Sequence, residues 1–158
     1  MAFGFHSVRD LETTPEVVLG GRYGTIQIEA GLLTEVRFRP FPKRVSIWET
    51  RGLGAWRHRG RPGDRCQLYF NQPRSIPDLL ALIYVESTAQ STLRTIYRGL
   101  EVLDQIARLK GCDAIVSDVS NQRISDRMLE RHGWVRHCLH LRGRHFIKRF
   151  SLDNLRRS

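Results

Sequence analysis

The stretch LLALIYVES, residues 79–87, restricts the fold more than any other part of the sequence. It is a nearly unbroken apolar run of strand length, the pattern of a strand buried on both faces. Immediately after it Leu93, Ile96, Leu100, Leu103 and Ala107 recur at three- and four-residue steps. That spacing predicts an amphipathic helix of about five turns, closed by Gly111. A second buried strand, DAIVSDV (113–119), follows. Strand, crossover helix and strand form a βαβ unit, so the two strands run parallel with a right-handed connection. Ligands of such units bind beyond the carboxyl ends of the strands. Those ends are residues 86–88 and 119–121.

The flanking sequence reads as antiparallel strands. RYGTIQIEA (22–30), TEVRFRPF (34–41), RVSIWET (44–50) and DRCQLYFN (64–71) alternate or nearly so, separated by Gly, Pro and Asn punctuation. RGLGAWRHRGRPGDR (51–65) has four glycines, a proline and a run of basic residues, and reads as a loop. After the βαβ unit, Ile124, Met128 and Leu129 mark one face of a short helix ended by Gly133. WVRHCLHL and RHFIKRF then read as two closing strands around Gly143. The expected fold class is α/β, a mixed and mainly antiparallel sheet with one central parallel pair and a crossover helix. One domain spans 1–150, with a short basic tail at 151–158.

Composition narrows the setting. Of 158 residues 41% are hydrophobic and 27% charged, a globular balance. No apolar run approaches the ~20 residues of a membrane helix, so no membrane partner is expected. The first residues lack the basic start and apolar stretch of a signal peptide. Cys66, Cys112 and Cys138 are odd in number and far apart, which points to a reducing, cytoplasmic setting rather than a disulfide framework. Lys plus Arg total 26 against 16 acidic residues, a net charge of +10. Such a surface attracts phosphate-bearing partners, or is simply a solvated basic surface. There is no Gly-x-Ser-x-Gly elbow, Walker loop or Gly-x-Gly-x-x-Gly. His132, His137, Cys138, His140 and His145 crowd the end of the chain in no common zinc spacing.

The order of LIYVES, the helix through GLEVLDQIARLKGCDAIVSDV, and NQRISDRMLERHGW resembles the C-terminal half of the GNAT superfamily of N-acetyltransferases. The resemblance covers residues 78–150. It implies two splayed parallel strands with an acyl-CoA between them, the pantetheine arm pairing with the first strand at Tyr84, Val85, Glu86 and Ser87. It further implies the pyrophosphate on the amino end of the helix, near Arg94 and Arg98, and the Asn121 turn along the cofactor's other side. The family's phosphate loop maps onto Ser91–Ile96, where Arg94 and Ile96 stand in place of glycines. Leu129 stands where members often carry a Tyr acid. The implied function is acyl transfer from acetyl-CoA or another acyl-CoA to an amine, with Glu86 as general base.

Each residue also has a plainer reading. Asn121 reads as a helix cap, Glu86 as an acid paired with one of many arginines, and Arg94 with Arg98 as a solvated helix face. Trp134 packs the end of the sheet. Phe146 and Phe150, with Lys148 between them, belong to a half-buried edge strand or stack on bases. Two other functions stay open: a GNAT-like interaction module without catalysis, and a basic domain that binds nucleic acid weakly through its loop.

Overall fold

The structure, a computed structural model, describes residues 5–41 and 63–150. The strand expected at 44–50, the basic stretch through residue 62 and the tail at 151–158 lie outside the described residues. Among the described residues eight strands form one open sheet in the order β1-β3-β2-β4-β5-β6-β8-β7. They are β1 (His6–Val8), β2 (Tyr23–Glu29), β3 (Leu32–Arg39), β4 (Arg65–Asn71), β5 (Leu79–Ser87), β6 (Ala114–Asp118), β7 (Val135–Arg136) and β8 (His145–Arg149). Three helices accompany them among the described residues: α1 (Pro15–Gly20), α2 (Leu93–Leu109) and α3 (Asp126–Arg131).

The sheet is antiparallel except at its centre. There β5 and β6 pair in parallel, from Leu79↔Ala114 to Leu82↔Ser117. Both strands lie where the apolar runs put them, joined by α2. On its other side β5 pairs with β4, and the register slips between Phe70↔Leu82 and Tyr69↔Tyr84. Ile83 is the extra residue, a β-bulge. The slip also corrects the expectation that β5 is buried on both faces. Leu80 and Leu82 are buried against the helices, whereas Ile83 is exposed. Beyond the bulge Val85 faces the core with Leu68, and Tyr84 and Glu86 take the opposite face beside Tyr69 and Gln67.

The helix α2 covers β2, β3, β4 and β5 with Ile96, Leu100, Leu103, Ile106 and Ala107, all fully buried. Gly99 explains how closely it sits. A Cβ there would lie 2.4 Å from Leu68 Cδ1, so any larger residue would force the Leu68 side chain to shift. Thr92 caps the amino end by accepting from Thr95 N–H, and Gly111 (φ +67) turns the chain out at the other end. A buried ion pair, Lys148 on β8 with Asp104 on α2, ties the last strand to the helix.

Three sequence expectations need correction. The WVRHCLHL strand stops after Val135–Arg136, because Cys138 takes φ +51 and breaks the extended path. RHFIKRF is no edge strand. β8 lies between β6 and β7, and Phe146 is fully buried, unavailable for stacking on a base. Lastly, α1 and β1 were not foreseen. With the turn between them they add Val8, Leu11 and Val18 to the core. Lys110, just past α2, reaches α1 by donating to the Leu19 and Gly21 carbonyls, and also to Gln72 Oε1.

Two measurements test this packing. Gly99→Ala gains ~1 kcal/mol of helix propensity and loses about 1–3 kcal/mol by overpacking against Leu68. The urea midpoint should therefore fall, and Leu68→Val in the same chain should cost less than the two losses summed. Burial pushes the Lys110 ammonium down to about 8 from its ordinary 10.5. Between those values the unfolded chain binds a proton that the folded chain does not, so stability contributed at Lys110 rises with pH. The stability difference between wild type and Lys110→Met should therefore shift in favour of wild type from pH 8 to 10.

Candidate functional site

The parallel pair ends at Leu82 and Ser117, while β5 runs on to Ser87. The bulge turns this second half of β5 away from β6 and leaves its inner edge without a strand partner among the described residues. Side chains take over that edge. Ser117 Oγ donates to the Leu82 carbonyl at 3.1 Å. Asn121 Nδ2 donates to the Val85 carbonyl at 3.1 Å and to Ser87 Oγ at 3.3 Å. Its Oδ1 accepts from Arg123 N–H, which fixes the turn. The expected cap role thus falls elsewhere. Ser125 caps α3, accepting from Met128 N–H. Behind Asn121 the splay is lined by Leu82, Leu100, Ile124, Leu129 and Trp134, and encloses only about 10 Å³. That is about the least space that holds one water.

The amino end of α2 is where the resemblance puts a pyrophosphate, and it carries a carboxylate of the chain itself. Asp64 accepts from Thr92 N–H at 2.7 Å and from Thr92 Oγ1 at 2.9 Å. Desolvation raises the Asp64 carboxyl, but hydrogen bonds from Thr92 and Thr95 and the Arg94 charge outweigh it, and the group is lowered overall. Asp64 is therefore ionised at neutral pH. The loop before the helix is equally knit. Arg123 donates to the Thr88 and Ala89 carbonyls at 2.6 and 2.9 Å. Gln90 accepts from Gly63 N–H, and the Gly31 N–H donates to the buried Thr95 hydroxyl at 2.9 Å.

A phosphate brought to this helix end meets that carboxylate. At ~4 Å and an effective dielectric of ~20, each pair of unit charges costs about 4 kcal/mol. A charge-assisted bond from Arg94 returns about 1.5–3 kcal/mol, and Arg94 is already close enough to steady Asp64. The residues present do not fit a pyrophosphate here.

A cleft of about 130 Å³ opens beside the splay, over the ends of β2 and β5 and the start of β4. Glu29, Gln67, Glu86 and Thr88 line it, and Glu29 is held by Arg65 at 2.6 Å. Cys66 lies in its floor. Burial pushes that thiol up to about 12, helped by the Asp64 and Glu86 charges, so it stays a neutral thiol and no nucleophile. Burial, then Tyr69 and Glu86, also raise the Tyr84 hydroxyl, which stays protonated. Tyr84 stacks on Tyr69 with ring centres 4.2 Å apart.

No family model, no curated protein and no solved structure matches the chain. Val85, Ser87 and Asn121 come together across the splay, and Glu86 reaches the cleft with Tyr84 close to it. Arg94 stands at the amino end of α2 against the β2–β3 turn, where a Cβ on Gly31 would lie 2.8 Å from its Nε. Arg98 pairs with Glu101 on the same helix at 3.3 Å, a partly exposed i,i+3 pair. Leu129, where the family's acid would stand, is buried. Asp64 and Arg123 were missed by the sequence reading. Asp64 sits inside a basic stretch, and nothing in its spacing announces a helix 28 residues later; Arg123 has the clearer signal, two residues after the Asn turn.

Asp64 makes a testable contribution. Asp64→Ala should lower stability by ~1 kcal/mol at neutral pH, as loss of a capping acid does. A lowered folded value means that its contribution is present above the ordinary 3.8 and is lost as pH falls through the folded value. Urea midpoints of wild type and variant should therefore converge in acid.

Proposed function

We propose that the protein is a divergent N-acyltransferase that moves an acyl group from a pantetheine thioester to an amine. The observation that carries this reading is the opened inner edge of β5. Asn121 gives the Val85 carbonyl an amide N–H donor, the same group that an extended pantetheine arm offers, so the edge is suited to an amide-bearing ligand once Asn121 swings aside. A buried carbonyl must be paired, and here the partner is a side chain on a turn rather than a strand.

The second half of the site suits an amine. Glu86 lies in the cleft beside this edge and takes the proton that the amine nitrogen loses as its C–N bond forms and the C–S bond breaks. Backbone N–H groups of β5 polarise the acyl oxygen. The departing sulfur takes its proton from solvent, since Leu129 offers none. Acyl-CoA is the donor that the resemblance implies, although its nucleotide end does not fit the amino end of α2.

A second reading, an interaction module without catalysis, is favoured by a separate observation. The splay encloses about 10 Å³ and is closed by Asn121 and apolar side chains. One experiment divides the two. Thiol release from S-acetylpantetheine and acetyl-CoA would be followed with a panel of primary amines. Amine-dependent release is expected, and Glu86→Gln should lower its kcat by about 10²–10⁴-fold while thioester affinity stays unchanged. No release and no thioester binding by folded protein would leave the module reading.

A further inference from the structure

We propose that the donor is a pantetheine thioester recognised without its nucleotide end. This rests on the acyltransferase reading and sharpens it, because it separates the part of the donor that the chain can hold from the part that it repels. The arm has a place: the Val85 carbonyl and Ser87 hydroxyl, now paired with Asn121. The diphosphate does not. Its position on α2 is taken by Asp64, bound through both carboxylate oxygens to the Thr92 amide and hydroxyl.

The residue that carries the carboxylate is fixed through its backbone. The Asp64 carbonyl accepts from Ala30 N–H at 2.8 Å, which ties the residue to the β2–β3 turn. That turn is tied in its own right to α2 through Gly31 and Thr95. The same segment is held again one residue on, where Arg65 N–H donates to Thr88 Oγ1 and Arg65 pairs with Glu29. Clearing the helix end for a diphosphate breaks both bonds of the carboxylate to Thr92. An internal anion here does for the helix dipole what a phosphate would do, so the helix end has no further need of one.

A thioester arm without a nucleotide comes from two sources, a free pantetheine thioester or the prosthetic arm of an acidic carrier protein. The net charge of +10 suits the second through long-range attraction. The chemistry shared by both is the arm, with its two amides and terminal thioester.

Calorimetry on the full chain tests the proposal with pantetheine, CoA, ADP, and a phosphopantetheinylated acidic carrier protein beside its apo form. Pantetheine and CoA should bind within about threefold of each other, ADP should show no binding at millimolar concentration, and the phosphopantetheinylated carrier should bind more tightly than the apo carrier. Asp64→Asn should tighten CoA by about tenfold or more and leave pantetheine unchanged. Should that variant unfold, the wild-type comparison decides alone. CoA binding about tenfold or more tighter than pantetheine, with ADP competing, overturns the proposal while the acyltransferase reading stands. Equal binding of the two carrier forms also overturns it, because the arm then contributes nothing. No binding by any of the probes overturns both readings together.

Discussion

One extra residue in β5 sets the character of the molecule. A parallel pair continues only while both strands keep step, and Ile83 takes β5 out of step with β4 and swings its second half away from β6. The carbonyls of that half still need donors. Ser117 and Asn121 supply them from β6 and the turn after it, so the turn's position follows from the bulge. Arg123, two residues on, reaches back to the loop after β5, and the short α3 packs Met128 and Leu129 into the space behind. The cleft at Glu86 exists because the strand departs there.

The second organising element is α2, which is held by charge at three points. Asp64 faces its amino end, Lys110 follows its carboxyl end, and Asp104 in its middle takes Lys148 from β8. The first two match the helix dipole, negative charge at the amino end and positive at the other. Asp104–Lys148 is different. A pair this deep gives little net stability over apolar residues of the same size, but losing one partner leaves a buried charge. Its effect is on register, since only one sliding position of β8 brings Lys148 to Asp104.

Much of this was legible in the sequence where hydrophobic pattern decides structure. The bounds of β5, the apolar face of α2 and the parallel β5–β6 pair follow from spacing alone. The bulge does not, because the apolar run LLALIYVES reads straight through Ile83 without a glycine or a break. Cys138 looked like one more strand residue, and its positive φ depends on how the chain turns at the sheet edge. Asp64 was hidden for another reason. Its role depends on a contact across 28 residues, and a carboxylate in a basic stretch reads as solvated charge. Gly99 inside a helix has its reason in Leu68, which lies directly beneath it. Patterns of burial are carried locally; polar seals between distant segments are not.

The place of β8 in the sheet has a consequence for how the chain is made. β8 enters between β6 and β7, two strands that leave the ribosome before it. Until residues 145–149 emerge, the edge of β6 that β8 covers stays open and Phe146 is missing from the core. The amino-terminal strands can pair while synthesis continues, but the parallel centre stays half-built. During that interval β6 is an apolar strand edge open to other chains. A slow passage through the last strand would therefore be costlier to yield than one through any earlier segment.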